Sequence, residues 1–279
     1  MQNPKNEMSE KEKFPKRIVS LTPSLTEILF ALKMDQRVVG VTDSCDYPTE
    51  VKDIPHVGCW FDPDIEKLFA LKPDIVLGLQ TAHNKIKLKL ESEGIFVVLV
   101  NPITVNETIT DITRLGELLS VRELSLNLAT KLRSRLLAVD DGVSAIGREN
   151  KLTISRILDV EDGRFHVAGP LSFQYDIISR AGGLNVTSSI PEAYPKITLT
   201  QLREWDPQVV FNCGFDLNSL PSIVNKPEWS SLSAVQSGNV YSFDCGLTCR
   251  TGPRIVDMVE LLFNTLYGDL KTKKKLRTG

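Results

Sequence analysis

Two segments of the chain repeat one pattern, and this repeat constrains the fold more than any other feature. Residues 66–79, EKLFALKPDIVLGL, align without gaps with residues 200–213, TQLREWDPQVVFNC. In both segments a helical pattern ends before a proline, which cannot continue a helix, and a buried strand follows at once. The repeat falls at the same place in each half of the chain. It therefore predicts two related α/β units.

Short, β-branched apolar runs alternate with helix-length segments along the chain. The runs are RIVSL (17–21), RVVGVT (37–42), DIVLGL (74–79), FVVLV (96–100), KLTISRILDV (151–160), QVVFNC (208–213) and NVYSF (239–243). Continuous apolar strands that alternate with helices indicate parallel sheets covered on both faces. We therefore expect an α/β fold with two parallel-sheet lobes, over residues 16–119 and 148–268.

The longest helical pattern, at residues 120–147, lies between the two lobes. Apolar residues recur there every three or four positions and form one stripe. Ser120 and Glu123 have the spacing of a capping box. We interpret the segment as one long, rigid helix that joins the lobes, with a ligand cleft between them. The alternative is a helix packed wholly on one lobe.

Composition and charge exclude some classes of partner. The 279 residues carry 33 Lys and Arg against 35 Asp and Glu, a net charge of −2. Nucleic-acid binding needs clustered basic residues, so we expect no nucleic-acid partner. The basic segment 269–279 and residues 1–15 are instead expected to be disordered tails.

The sequence leaves two locations open. No apolar run approaches the ~20 residues needed to cross a bilayer, and the first residues have no export signal. The protein is expected to be cytoplasmic if Met1 is the native start. If a signal was removed, a periplasmic or membrane-anchored extracytoplasmic location is expected.

Candidate site residues follow from the position of ligands in open parallel sheets, beyond the carboxyl ends of the strands. All five cysteines lie at or near such strand ends or in the loops after them. The candidate binding residues are Cys45, Trp60, His166, Tyr194, Cys213, Phe215, Cys249 and Arg250. Each has a simpler interpretation, because free cysteines often pack as small buried hydrophobes and a tryptophan can anchor a core. Motifs of hydrolases, nucleotide-binding enzymes and metalloproteases are missing, which favours binding over catalysis.

Residues 245–254, CGLTCRTGPR, hold two cysteines in a Cys-x₃-Cys spacing. This spacing is one residue wider than a zinc knuckle or a thioredoxin-type motif. We expect Cys245, at the end of a strand, to be packed and not to act with Cys249. Cys249 and Arg250 are expected to face the pocket from the following loop.

Four segments carry a resemblance to a known family. RIVSLTPSLTEILFAL, VVGVTDSCDYP, ALKPDIVLG and GPRIVDMVELL resemble, in this order, solute-binding proteins of ABC importers for cobalamin and iron chelates. The resemblance covers residues 16 to 268. It implies a monomeric protein that is not an enzyme, with two lobes on a helical backbone. It also implies a corrinoid, haem or iron-chelate ligand and a membrane permease as partner.

The resemblance also implies roles for particular residues. Trp60 and Tyr194 take the positions of aromatic residues that sandwich the corrin in the cobalamin-binding branch. Arg250 takes the position of an arginine on the rim of the second lobe in that branch. His166 replaces a phenylalanine and could reach the metal axially as a neutral imidazole.

One acidic residue per lobe is implied in docking to the permease. Glu66 fits the position in the first lobe. Its counterpart in the internal repeat is Thr200, which cannot pair with an arginine, so Glu204, one turn further on, is the candidate in the second lobe.

A second interpretation concerns Cys45, Cys59, Cys213 and Cys249, predicted to lie around the cleft with two in each lobe. Four thiolates are the ligand set of zinc or an iron–sulfur cluster, and this makes a metal or cluster carrier the main alternative. The other interpretation is that the protein binds a complete metal chelate and that the cysteines do not coordinate its metal. A corrinoid-processing enzyme is the third function considered.

Overall fold

The chain folds into two compact units, each built from one β-sheet and helices. The computed structural model describes residues 14–214, 224 and 226–275, with side chains up to Gly268. The first unit comprises Met1–Asn101 and Thr110–Ala129, and the second comprises Pro102–Ile109 and Thr130–Gly279. The predicted α/β class is confirmed.

The first unit contains a four-stranded parallel sheet in the order β2-β1-β3-β4. Its strands are β1 (Ile18–Ser20), β2 (Val38–Val41), β3 (Ile75–Leu79) and β4 (Phe96–Val100), and its helices are α1 (Pro23–Ala31), α2 (Ile65–Ala70) and α3 (Gln80–Ser92). Helix α1 begins as the sequence suggests, because the Thr22 hydroxyl accepts a hydrogen bond from the Leu25 N–H and Pro23 starts the first turn. Apolar side chains from both faces of the sheet are buried, as a covered parallel sheet requires.

Two helices follow, α4 (Val105–Leu118) and α5 (Arg122–Ser144). Helix α5 is the long helix predicted at 120–147, and the boundary between the units falls within it, after Ala129. The expected capping box at Ser120 was wrong. Ser120 has a φ of 59° and ends α4, with the Val121 N–H bonded to the Gly116 carbonyl. That left-handed residue and that bond are the geometry of a helix C-terminus.

The second unit contains a six-stranded sheet in the order β10-β9-β5-β6-β8, with β7 paired to β5. Its strands are β5 (Thr153–Glu161), β6 (Arg164–Val167), β7 (Leu184–Asn185), β8 (Lys196–Ile197), β9 (Val209–Cys213) and β10 (Val240–Phe243). Its further helices are α6 (Phe173–Arg180), α7 (Leu199–Trp205), α8 (Ser233–Gln236), α9 (Cys245–Thr248) and α10 (Ile255–Lys275).

This second sheet is mixed, which corrects the prediction of a parallel one. Strand β6 runs antiparallel to both β5 and β8, whereas β5, β9 and β10 are parallel. The turn between β5 and β6 is Asp162-Gly163, with φ values of 51° and 72°. Two left-handed residues in an Asp-Gly turn are typical of a tight hairpin, and this signal was present in the sequence.

The internal repeat corresponds to a structural repeat. Segment 66–79 forms α2 and β3, and segment 200–213 forms α7 and β9. The aligned pairs also share their environment, since Leu68 and Leu202 are both buried in their own unit's core. The repeat therefore predicted both secondary structure and packing correctly.

Helix α10 continues to Lys275, into the segment 269–279 that was predicted to be a tail. Lysine and leucine favour helices, which accounts for the extension. Residues 276–279 of that segment and residues 1–13 of the predicted N-terminal tail lie outside the described residues. No helix in the described part of the chain combines the length and apolar character needed to span a membrane.

Candidate functional site

Three cysteines of the second unit lie together at the carboxyl ends of two neighbouring strands. Cys213 ends β9 and is paired in register with Phe243, the last residue of β10. Cys245 begins α9 and Cys249 follows it, and the Cys249 N–H donates to the Cys245 carbonyl at 3.0 Å. Residues four apart on one helical turn share a face. The three Sγ atoms accordingly lie within 4.8 Å of one another, and those of Cys213 and Cys249 are 2.9 Å apart.

The expectation that Cys245 is packed and separate from Cys249 was therefore wrong. It treated residues 245–249 as a loop, whereas they form a helical turn. In a turn of helix the Cys-x₃-Cys spacing brings two thiols together, and the end of β9 supplies the third. We call Cys213, Cys245 and Cys249 the thiol cluster.

A buried arginine lies against the thiol cluster. Arg156, in the middle of β5, is 1% exposed, and its Nη2 donates to the Sγ atoms of Cys213 and Cys249, both at 3.3 Å. Its Nε and Nη1 have no hydrogen-bond partner among the described residues. Sequence reasoning missed this residue. Its signal was an arginine in the interior of the apolar run KLTISRILDV, because charged side chains are rarely buried unless they are paired.

The three thiols of the cluster differ in their pKa values. The Cys249 thiol donates a hydrogen bond to Cys213 and, with the nearby Arg156 charge, lowers the pKa of Cys213 to about 5. That donated bond raises the pKa of Cys249, and burial raises the pKa of Cys245 to about 11. The three thiols thus titrate as one interacting group beside the Arg156 guanidinium, and the lowest pKa is that of Cys213.

The four cysteines predicted as one ligand set lie in different surroundings. Cys45 is 3% exposed in the first unit, and its Sγ contacts the hydroxyls of Thr26 at 3.2 Å and Thr42 at 3.4 Å. It is a core residue, as free cysteines commonly are. Cys59 is exposed. The group of metal-ligating side chains that the described residues bring together is the thiol cluster, which lacks Cys45 and Cys59 and includes Cys245.

Tyr194 lies between β7 and β8 of the second unit and is 42% exposed. Its hydroxyl donates to Oε1 of the buried Gln174 at 3.0 Å. Burial raises the pKa of Tyr194, and the nearby charge of Arg156 offsets part of this rise. The ring therefore belongs to the same region of the unit as the thiol cluster.

His166 on β6 faces Asp159 on β5 as a cross-strand pair. Its Nδ1 lies 2.5 Å from Asp159 Oδ1, so Nδ1 carries the proton and donates. The other nitrogen, Nε2, is then the one that could bind a metal, and a carboxylate behind a histidine is typical of metal-binding histidines.

Arg250 is half-buried directly after Cys249, and Phe215 lies outside the described residues.

Trp60 of the first unit is half-buried, and its ring contacts that of Phe61 with the centroids 3.7 Å apart and the planes tilted by 35°. Phe61 is 65% exposed. The loop is held by the buried His83, whose Nδ1 accepts from the Leu79 N–H at 2.9 Å and whose Nε2–H donates to the Trp60 carbonyl at 2.7 Å. Burial lowers the pKa of His83, which keeps the ring neutral in this tautomer. His83 therefore positions Trp60 and its aromatic neighbour.

The two acidic residues predicted for docking are both exposed. Glu66 lies in the first turn of α2, and Glu204 lies in α7, the corresponding helix of the internal repeat. Their exposure is compatible with contacts to another protein.

The chain is similar over most of its length to known proteins. A family model described as periplasmic binding protein matches residues 18–245. The uncharacterized ABC transporter substrate-binding lipoprotein YvrC of Bacillus subtilis is 28% identical over 264 residues, which is 92% of this chain and 82% of that protein. The vitamin B12-binding protein of Vibrio cholerae is 27% identical over 256 residues, 88% of each chain.

A solved structure supports the same relationship. The periplasmic vitamin B12 binding protein BtuF of Vibrio cholerae superposes with a TM-score of 0.77 at 25% identity, covering 90% of this chain and 96% of that one. The resemblance to solute-binding proteins of ABC importers is confirmed. The chain belongs to the periplasmic binding protein family.

Proposed function

We propose that this protein binds a corrinoid, or a related metal chelate, and delivers it to an ABC importer. The observation that carries the proposal is the relationship to the vitamin B12-binding protein of Vibrio cholerae, which extends over 88% of both chains. The protein is proposed to act outside the cytoplasm, in the periplasm or on a membrane anchor, and to bind its ligand without catalysis.

Aromatic side chains are proposed to supply the contact area for the flat ligand. The half-buried Trp60 and the exposed Phe61 form an aromatic pair, and His83 holds the Trp60 backbone through its carbonyl. Tyr194 is partly exposed and tethered through its hydroxyl to Gln174. A stacked ring contributes about 0.5–1.5 kcal/mol beyond its buried area, and tethering lowers the entropy lost on binding.

Polar contacts are proposed to come from His166 and Arg250. With Nδ1 donating to Asp159, His166 presents Nε2 as an axial ligand for cobalt or iron. The guanidinium of Arg250 is suited to the amide or carboxylate groups at the edge of a corrinoid or a haem.

The binding proposal predicts that Trp60→Ala weakens chelate binding about tenfold, because one stacked ring is lost. Titrations of the purified protein with cyanocobalamin, haemin and a ferric chelate, followed by visible absorbance and tryptophan fluorescence, give the affinities. Phe96→Ala is the matched control, since this exposed aromatic starts β4 at the amino edge of the sheet, away from where ligands bind.

Two outcomes would contradict the proposal. One is the absence of any spectral change with all three chelate classes. The other is an equal loss of affinity in the Trp60 and Phe96 variants. A chelate that is recovered chemically altered after release would instead favour a corrinoid-processing enzyme.

Docking is proposed to use the exposed Glu66 and Glu204, each meeting a basic residue of the permease. Glu66→Lys should reduce ligand uptake in vesicles that contain the importer and leave ligand affinity unchanged, because like charges then face each other. Exposed Glu50→Lys is the control for a general effect of charge. Unchanged uptake with Glu66→Lys would refute the role of this residue.

A further inference from the structure

We propose that Cys213, Cys245 and Cys249 form a binding site for one soft divalent metal ion, with Zn²⁺ as the ion that fits best. The site lies wholly within the second unit and goes beyond chelate binding, because the ligand is a bare ion held by the protein's own sulfur atoms. It also differs from the four-cysteine set predicted from the sequence.

Geometry is the first argument. The three Sγ atoms all lie within 4.8 Å of one another, and the closest pair is 2.9 Å apart. With Zn–S bonds of about 2.3 Å, two sulfurs on a tetrahedral ion are about 3.8 Å apart. Adjustments of about 1 Å in these side chains would bring all three sulfurs to coordinating distance. The fourth position would be open to water or another ligand.

Rigid placement of the ligands is the second argument. Cys213 is held by the β9–β10 pairing, and Cys245 and Cys249 are held by a single helical turn. The three ligands therefore come from hydrogen-bonded elements that are already in place. Little conformational entropy is then lost when the ion binds.

Charge is the third argument and is independent of the cysteine spacing. Arg156 is almost fully buried, and its Nε and Nη1 have no hydrogen-bond partner among the described residues. A buried cation needs a compensating negative charge, because without one its burial costs several kcal/mol. Three thiolates and a divalent ion carry a net charge of −1, which the guanidinium neutralises through its Nη2 contacts to two of the sulfurs. A monovalent ion would leave an excess negative charge, which favours the divalent one.

The buried charge of Arg156 also distinguishes a metal site from a disulfide. Oxidation of Cys213 and Cys249 to a disulfide would pass two electrons to an oxidant, release the protons that the two cysteines still carry, and leave two neutral sulfurs. Arg156 would then lose its negative partner, and Cys245 would have no role. When an ion binds, by contrast, the protons that the three cysteines still carry are released to the buffer and all three sulfurs are used.

The test uses the reduced, metal-free full chain under anaerobic conditions, titrated with Cd²⁺ as a spectroscopic probe and with Zn²⁺ against a chromophoric chelator. We expect one ion per chain and the ultraviolet absorption of a cadmium–thiolate bond. Cys213→Ser, Cys245→Ser and Cys249→Ser should each weaken binding at least about tenfold, because loss of even an outer partner of a metal ligand costs about 10–100-fold. Cys59→Ser is the matched control and should bind like the unaltered protein.

Circular dichroism of each variant separates loss of the site from loss of the fold. If all three single variants unfold, the cadmium–thiolate absorption and the number of ions bound by the unaltered protein still show whether the chain binds one metal ion through its thiols. The proposal is overturned if the unaltered protein binds no ion, or if Cys59→Ser weakens binding as much as the cluster variants do. Loss of two thiols in air without ion binding would identify a disulfide pair instead. No corrinoid is present in this test, so its failure leaves the proposed transport function untouched.

Discussion

Trp229→Ala is expected to lower the free energy of unfolding of the second unit by about 3–5 kcal/mol. Trp229 is 2% exposed, and its ring meets Phe165 edge-on at a centroid distance of 5.2 Å. It packs in a cluster with Ile157 and Val210, which lie on the two central strands β5 and β9. Alanine would leave a cavity that strands fixed by hydrogen bonds cannot close.

Denaturant unfolding followed by circular dichroism measures this effect. Trp205→Ala is the matched control, because Trp205 packs at the edge of the same cluster and is only partly buried. Its smaller loss of buried area should cost clearly less free energy. Equal costs for the two substitutions would show that Trp229 is not central to this core.

Gly169→Ala is expected to cost about 2–3 kcal/mol and to weaken chelate binding as well. A Cβ at Gly169 would lie 2.2 Å from the Glu192 carbonyl oxygen and 2.7 Å from Pro195 Cδ. The Gly169 N–H also donates to the Ala193 carbonyl at 2.8 Å. The segment that must move carries Tyr194, so the added methyl group would displace a proposed ligand contact. Backbone displaced by overpacking accounts for the size of the effect.

Thermal unfolding and the chelate titration test this prediction together. Gly268→Ala is the control, since a Cβ there meets nothing within 4 Å and the residue lies in α10. Alanine in a helix is more stable than glycine by up to about 1 kcal/mol, so this control should be neutral or stabilising. A Gly169→Ala protein as stable as the unaltered chain would show that the 192–195 segment yields easily.

The local pattern of apolar residues was sufficient to predict much of the fold. All seven strands read from apolar runs are present, because a continuous β-branched segment can be buried only as a covered strand. The hairpin at Asp162-Gly163 was missed although its signal is local. The capping box at Ser120 failed because two adjacent helices compete for the same residues, and Ser120 ends the first of them.

The candidate site was predicted less well than the fold. Cys213 and Cys249 were predicted as ligands together with Cys45 and Cys59, whereas the side chain that lies with them in the structure is Cys245. Cys45 contacts two hydroxyls in the core of the first unit, and no local feature distinguishes such a cysteine from a ligand. Arg156 was overlooked because it lies in a run that otherwise predicts a buried strand.

The sequence by itself determined the two α/β units, their internal repeat and the family, because each depends on the periodicity and order of residues along the chain. Only the tertiary structure decided which thiols meet and which charge faces them. Cys213 and Cys245 are 32 residues apart in the chain. They become neighbours because β9 and β10 pair in parallel and both strands end at the same edge of the sheet. Burial of Arg156 in the adjacent β5 then makes that edge a site for negative charge.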